Sequence, residues 1–550
     1  MSGPMLARIT VTVALWLALS LPAMASEPVI VDTPTGAVRG LVEGGAKVFR
    51  GIPYAQAPVG DLRWRAPKAM KPWSEVRDAT RFGPACHQPP PRPGSIYAPA
   101  EALPMSEDCL SVNVWAPADA KAAPVFVWIH GGSLTAGSSS EPLYDGAQLA
   151  AQGLVVVSMN YRLGVLGYLA HPLLSAESAQ GISGNYGLLD QIQALRWVQE
   201  NIAAFGGDPG QVTVAGESAG ALSVMYLMTA PAAQGLFHRA IAQSAYLIST
   251  PALKATVHGT LPAEQAGVEL VRKVKVRGLP RLRAMDAQEL TVQAAMSGFL
   301  PLANVDGKVM PLQPIEAFDR KAQAQVPILA GFNAGEIRSL RFLLPPPPAD
   351  AATYEAGIHE RYGELAEAML QRYPGDNLDE AMLATTRDAM YGWTAERLVR
   401  SQTERGLPSF LYYFNHGWPA ADSAGLHGFH AGEIPYALGT TAQTPTNWPA
   451  VPDTAAEQRL TQAMLAYWAS FARDGVPVAA GEVPWQPYGE TRAFMEFDSI
   501  PLAGERLLPG MFELVETVVC RRRARGDLPW HWNVGIIAPP LPAEGVDECR

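Results

Sequence analysis

Charge is scarce in this chain. Asp, Glu, Lys and Arg make up 17% of its 550 residues and hydrophobic residues 48%, which excludes a disordered polyelectrolyte and leaves apolar side chains for a large core. Basic charge is in deficit: 42 Lys and Arg stand against 52 Asp and Glu, a formal net charge of -10. Such a surface offers no general phosphate footprint, so nucleic acid is not an expected partner. Cysteines number only four, and no Cys/His grouping has zinc-ligand spacing, so no metal or other cofactor is implied. Internal repeats, Gly/Ser linkers and blocks of like charge are missing too, so nothing divides the chain into separate large domains.

The N-terminus points to a compartment. Arg8 precedes the apolar run ITVTVALWLALSL, and Ala23-Met24-Ala25 supplies a small-x-small end. The run is shorter than the ~18–20 apolar residues that span a bilayer, and the pattern reads as a secretory signal over residues 1–25. The expected product is exported, secreted or periplasmic, with residues 26–550 as the folded protein and no stable membrane span. An even number of cysteines in an exported chain suggests disulfides, and four cysteines allow three pairings. Cys86 with Cys109 and Cys520 with Cys549 is favoured because each pair closes a short loop.

Between Val125 and Ala230, short β-branched runs alternate with helical periodicity, the signature of an α/β protein with a largely parallel sheet and crossover helices. VFVWIH at Val125 to His130 and LVVVSMNY at Leu154 to Tyr161 are nearly continuous apolar runs, as strands buried on both faces require. Leu188, Ile192, Leu195 and Val198 then recur at helical spacing until GGDPG breaks the helix. QVTVAG returns to a strand, and SAGALSVMYLMTA starts a helix directly behind it. Ser218 therefore sits on a strand-to-helix turn.

That turn reads GESAG, Gly216 to Gly220, a match to G-x-S-x-G, whose small residues permit a sharp bend that lifts the serine hydroxyl above the sheet. The first helical turn behind it points unpaired N–H groups and a positive partial charge at any anion forming there. Ser218 is thus the candidate nucleophile. HGGS, His130 to Ser133, follows a strand and offers backbone amides without side-chain obstruction. The N–H groups of Gly132, Ser133 and Ala219 are the candidate oxyanion donors.

These segments, with FRGIPYAQAPVGDLRW at Phe49 to Trp64 and SEDCLSVNVWAP at Ser106 to Pro117, resemble the type-B carboxylesterase family, which includes cholinesterases and broad-specificity carboxylesterases. NYRLGVLGYL and GNYGLLDQIQALRWVQENIAAFGGDP follow in the family order. The resemblance runs from about Pro28 to beyond Phe471. It implies one α/β-hydrolase domain: a central, mostly parallel twisted sheet flanked by helices, with helical insertions over the active site. It also implies a serine ester hydrolase. An α/β-hydrolase orders its triad as Ser, acid, His. The family's acid, a Glu in a G-x-N-x-x pattern, matches Glu336 in VPILAGFNAGE, although the customary next Gly is Ile337 here. The family's histidine is followed three residues later by Glu, which selects His430, with Glu433, over His427. Ser244, in AIAQSA, matches a family serine that supports the acid, with Ala245 where relatives commonly carry Gly.

A small-molecule carboxylic ester is the implied substrate. The segment from Cys86 to Cys109 contains no tryptophan, whereas cholinesterases carry there the aromatic platform that binds quaternary ammonium. A choline-ester specialist is not expected. Arg338 and Arg341, soon after Glu336, suggest an alternative preference for anionic or polycarboxylate esters. An amidase or lactonase would use the same acyl-enzyme cycle, and a non-catalytic binding protein could share the fold without the chemistry.

Overall fold

Alternation inside one apolar run builds the centre of the molecule. In Ala123–Ile129, Val125, Val127 and Ile129 enter one hydrophobic core while Phe126 and Trp128 enter another. Val155–Met159 divides likewise, with Val155, Val157 and Met159 on one side and Val156 on the other. Side chains alternate faces along a strand, so a run with no polar position demands cover above and below.

The computed structural model describes residues 27–99, 101–246, 249–526, 538–541 and 549; the signal segment expected at residues 1–25 lies outside them. The strands in chain order are β1 (Glu27–Thr33), β2 (Gly36–Glu43), β3 (Ala46–Pro53), β4 (Arg77–Asp78), β5 (Ser111–Pro117), β6 (Ala123–Ile129) and β7 (Val155–Met159). They continue as β8 (Gly207–Glu217), β9 (Arg239–Gln243), β10 (Ile328–Asn333), β11 (Phe410–Phe414), β12 (Ala493–Phe497) and β13 (Pro501–Glu505). All join one 13-stranded sheet in the order β1-β2-β3-β5-β7-β6-β8-β9-β10-β11-β12-β13, with β4 beside β2. Every neighbouring pair from β7 through β12 is parallel. The margins on both sides pair antiparallel, apart from β4, which pairs parallel with β2.

The expected helix after β7 runs Tyr186–Asn201 and ends through a short 3-10 turn at Gly206, whose φ of 85° is left-handed. GGDPG behaves differently from the sequence reading. It stops the helix, but its last four residues already belong to β8, with Gly207 opposite Ala123 and a register shift before Val125. Helical insertions separate β9 from β10 and β10 from β11. Among the described residues no helix is long and apolar enough to cross a membrane. Cys86 is bonded to Cys109 and Cys520 to Cys549, the pairing favoured by loop length.

One buried ion pair fixes the frame behind the site. Arg162 Nε and Nη2 each donate to Asp190, at 2.7 Å, and both residues are buried. The pair ties the helix Tyr186–Asn201 to the loop after β7, whose Gly164 N–H donates to the Leu134 carbonyl in the HGGS loop. Asp190→Ala would strand the guanidinium without its partner, so stability should fall by about 3–5 kcal/mol in a denaturant titration. A loss below about 1 kcal/mol would show that Arg162 is satisfied another way.

Candidate active site

The C-terminal ends of the parallel strands share one edge of the sheet, where open α/β sheets bind ligands. Ser218 follows β8, Ser244 follows β9, Glu336 follows β10, and the loop carrying His430 follows β11. Register aligns these ends: Glu217 lies beside Gln243, and Gln243 beside Gly331.

Ser218 occupies φ 54°, ψ -119°, a conformation costing about 1–3 kcal/mol for a residue with a side chain. The bend is tight enough to require both glycines of the motif. A Cβ on Gly220 would overlap the Ile129 carbonyl oxygen, and one on Gly216 would lie 2.7 Å from the Gly220 oxygen. Behind the bend, the helix Ala219–Thr229 begins. In the neighbouring loop Gly132, Ser133 and Leu134 all have positive φ, and the Gly132 carbonyl accepts from both Thr135 and Ala136 N–H. The amides of Gly132, Ser133 and Ala219 donate to no group among the described residues, and Gly132 and Ser133 are exposed. Three backbone donors are therefore available beside the serine.

His430 and Glu336 meet. Nδ1 of His430 donates to Glu336 Oε2 in a short hydrogen bond, and Glu336 is wholly buried. The other oxygen, Oε1, accepts from the Ser244 hydroxyl at 2.6 Å and from Asn333 N–H at 2.9 Å. Ser244 thus touches the acid even with Ala245 beside it. Ile337 is accommodated in the core without a positive φ. The close approach falls instead on Gly335, whose N–H donates to the Gly428 carbonyl, with no room for a Cβ beside Leu426 and Gly428. His427 is elsewhere engaged, with Asp422 and Asn415.

Two further acids complete the surroundings: Glu217, which sequence reasoning missed, and Glu433, which it used only to select His430. Nε2 of His430 faces Glu217 Oε1 at 3.2 Å, and among the described residues no hydrogen bond joins it to the Ser218 hydroxyl. Glu433 accepts from Gln243 Nε2 at 2.9 Å and from Asn333 Nδ2. Gln243 in turn accepts from Trp468 Nε1 at 3.0 Å. Tyr391, from the insertion between β10 and β11, packs its ring 5.3 Å from the imidazole. Glu217 was visible only as the variable position of G-x-S-x-G; its significance lies in which side of β8 it leaves.

Burial alone disfavours an imidazolium, but the charges of Glu217 and Glu336 outweigh it and hold His430 above its ordinary value. Burial pushes the Glu217 carboxyl upward, opposed by His430. Glu433 is pushed up to about 7 by burial, with the charge of Glu336 adding to it. His130, beside the glycines, is pushed down to about 4 by burial and stays neutral. Arg338 pairs with Glu380 at 2.7 Å and Arg341 forks onto Asp379 at 2.6 Å, both in partly exposed pairs.

A serine on a strand-to-helix bend at this edge of a parallel sheet defines the α/β-hydrolase class. Comparison with known proteins narrows the class. A sequence profile of the carboxylesterase family matches residues 27–507. Fumonisin B1 esterase of Sphingopyxis macrogoltabida is 37% identical over 511 residues, spanning 89% of this chain and 90% of that one. Para-nitrobenzyl esterase of Bacillus subtilis is 36% identical over 491 residues, spanning 86% and 95%. A solved PNB esterase structure superposes with a TM-score of 0.77 at 32% identity, covering 88% of this chain and 99% of its own. The chain belongs to the carboxylesterase family and is a carboxylic ester hydrolase.

Glu217→Gln removes the charge facing His430 Nε2, so the imidazole should release its proton at lower pH. Neutral imidazole is the form that can accept a proton, so an activity that uses His430 as its base rises as that form appears. The acid limb of the kcat/KM profile should therefore move down by about one pH unit. An unmoved or raised limb would contradict the electrostatic account.

Proposed function

We propose that Ser218 is the nucleophile of a Ser-Glu-His triad with His430 as general base and Glu336 as its orienting acid. The observation that carries this reading is the buried hydrogen bond from His430 Nδ1 to Glu336 at the same sheet edge as the strained serine. With the proton kept on Nδ1 by Glu336, neutral His430 presents a lone pair at Nε2. That lone pair is no longer attracted to the Glu217 carboxylate, and the Ser218 hydroxyl is the neighbouring donor. Apo sites commonly show this contact long or misaligned.

In the first half-reaction Ser218 Oγ bonds to the ester carbonyl carbon while its proton passes to Nε2. The carbonyl oxygen becomes an oxyanion, received by the amides of Gly132, Ser133 and Ala219. Collapse breaks the bond to the alcohol oxygen, which takes the proton from Nε2 and leaves an acyl-enzyme. Water then repeats the sequence with Nε2 as base, releasing the acid and restoring Ser218. Glu336 stabilises the transient imidazolium, and Ser244 and the Asn333 amide hold Glu336 in place. Each oxyanion donor contributes about 2.7–4 kcal/mol of barrier lowering.

The substrate is a carboxylic ester; p-nitrobenzyl esters and fumonisin B1, named for two relatives, are the first to test. Residues 26–550 are read as one domain and residues 1–25 as an export signal, supported by the charge and small-residue pattern of that segment and by the two disulfides.

Ser218→Ala and His430→Ala should each lower kcat by at least about 10⁴-fold, and Glu336→Gln by about 10³–10⁴-fold through loss of the required tautomer. KM should change little. Ester hydrolysis that persists undiminished in folded Ser218→Ala would reject the mechanism.

A further inference from the structure

The loop from Cys86 to Cys109 reaches both halves of the site. Near its start, the Gln88 side-chain amide pairs with Gly137: Nε2 donates to the Gly137 carbonyl at 3.1 Å, and Gly137 N–H donates to Oε1 at 3.0 Å. Gly137 closes the loop that begins at Gly131, and it packs so tightly that a Cβ there would overlap His130 Nδ1 and lie 2.7 Å from the Gly131 oxygen. Fixing Gly137 therefore fixes the backbone that carries the Gly132 and Ser133 amides.

Further along, Tyr97 Oη lies 2.8 Å from the His430 carbonyl and 2.8 Å from Ser339 Oγ. A phenol has one proton, so Tyr97 donates to the carbonyl and accepts from the serine. Its ring meets the His430 imidazole edge-on at 6.5 Å and the Trp448 ring at 6.2 Å. Between the two anchors lies Pro89–Pro93, PPPRP, a run whose fixed φ angles resist bending. The disulfide holds the two ends of the loop together.

We propose that this loop is a strap setting the distance between the oxyanion amides and His430, with Gln88 and Tyr97 as positioning residues at its two anchors. The proposal rests on the triad reading above. Neither side chain contacts a reacting atom. Each fixes the backbone of a residue that does, so losing one loosens the geometry of the transition state more than the binding of substrate. His430 is faced by Glu217, Glu336, Tyr391 and Tyr97, with Glu433 close behind through Asn333. Removing the Tyr97 hydroxyl lets the imidazole drift from its carboxylates, which lowers its proton affinity.

The test compares Gln88→Ala, Tyr97→Phe and the double variant of the full chain, with active sites counted by fluorophosphonate labelling. Each single variant should lower kcat per labelled site about two- to tenfold, with KM within about twofold. Tyr97→Phe alone should shift the acid limb of kcat/KM to lower pH. Gln88→Ala should leave that limb in place and weaken a trifluoromethyl-ketone transition-state analogue in parallel with kcat. The double variant should lose less than the product of the singles, because releasing one anchor already frees the strap. Wild-type kcat per labelled site in both singles, or a fully multiplicative double, would overturn the strap. Activity retained by Ser218→Ala would overturn the triad reading instead.

Discussion

One imidazole among buried carboxyls governs the working end of this protein. Glu336, Glu217 and Glu433 are all withdrawn from water, and a buried acid is costly unless paired or hydrogen-bonded. His430 answers two of them directly, through Nδ1 and Nε2. Glu433 is answered by the amides of Gln243 and Asn333. This arrangement ties the ends of β8, β9 and β10 to the loop after β11.

The supporting structure divides between rigid and adjustable parts. Ser218 is fixed by backbone: a strained bend, two glycines without room for a Cβ, and an N–H donated to the Gln243 carbonyl at 2.9 Å. His430 sits on a long loop and depends on side chains for its position. Glu336 orients the ring, Tyr391 covers one side, and Tyr97 holds the carbonyl of the same residue. The sheet supplies precision around Ser218, and the loops supply it around His430.

Much of this was legible in the sequence, for identifiable reasons. β6 and β7 declared themselves because strands buried on both faces are nearly continuous apolar runs, broken in β7 only by the buried Ser158. Ser218 declared itself because the bend dictates its neighbours. Glu336 and His430 were found by resemblance, since no local rule links residues 94 apart in the chain. Glu217 stayed hidden in plain view, because a motif with a variable position says nothing about where that side chain points. Arg338 and Arg341 looked like free cations because their partners, Glu380 and Asp379, lie on a helix whose position depends on the packed insertion. Gln88 and Tyr97 were out of reach for the same reason: Tyr97 meets a carbonyl 333 residues away.

The account stands or falls on where an acyl group is held during turnover. Acid-quenching the reaction with a slow-deacylating ester, followed by peptide mass mapping, should find one acyl group per chain, on Ser218. Turnover without any adduct, or an adduct on another residue, would contradict it.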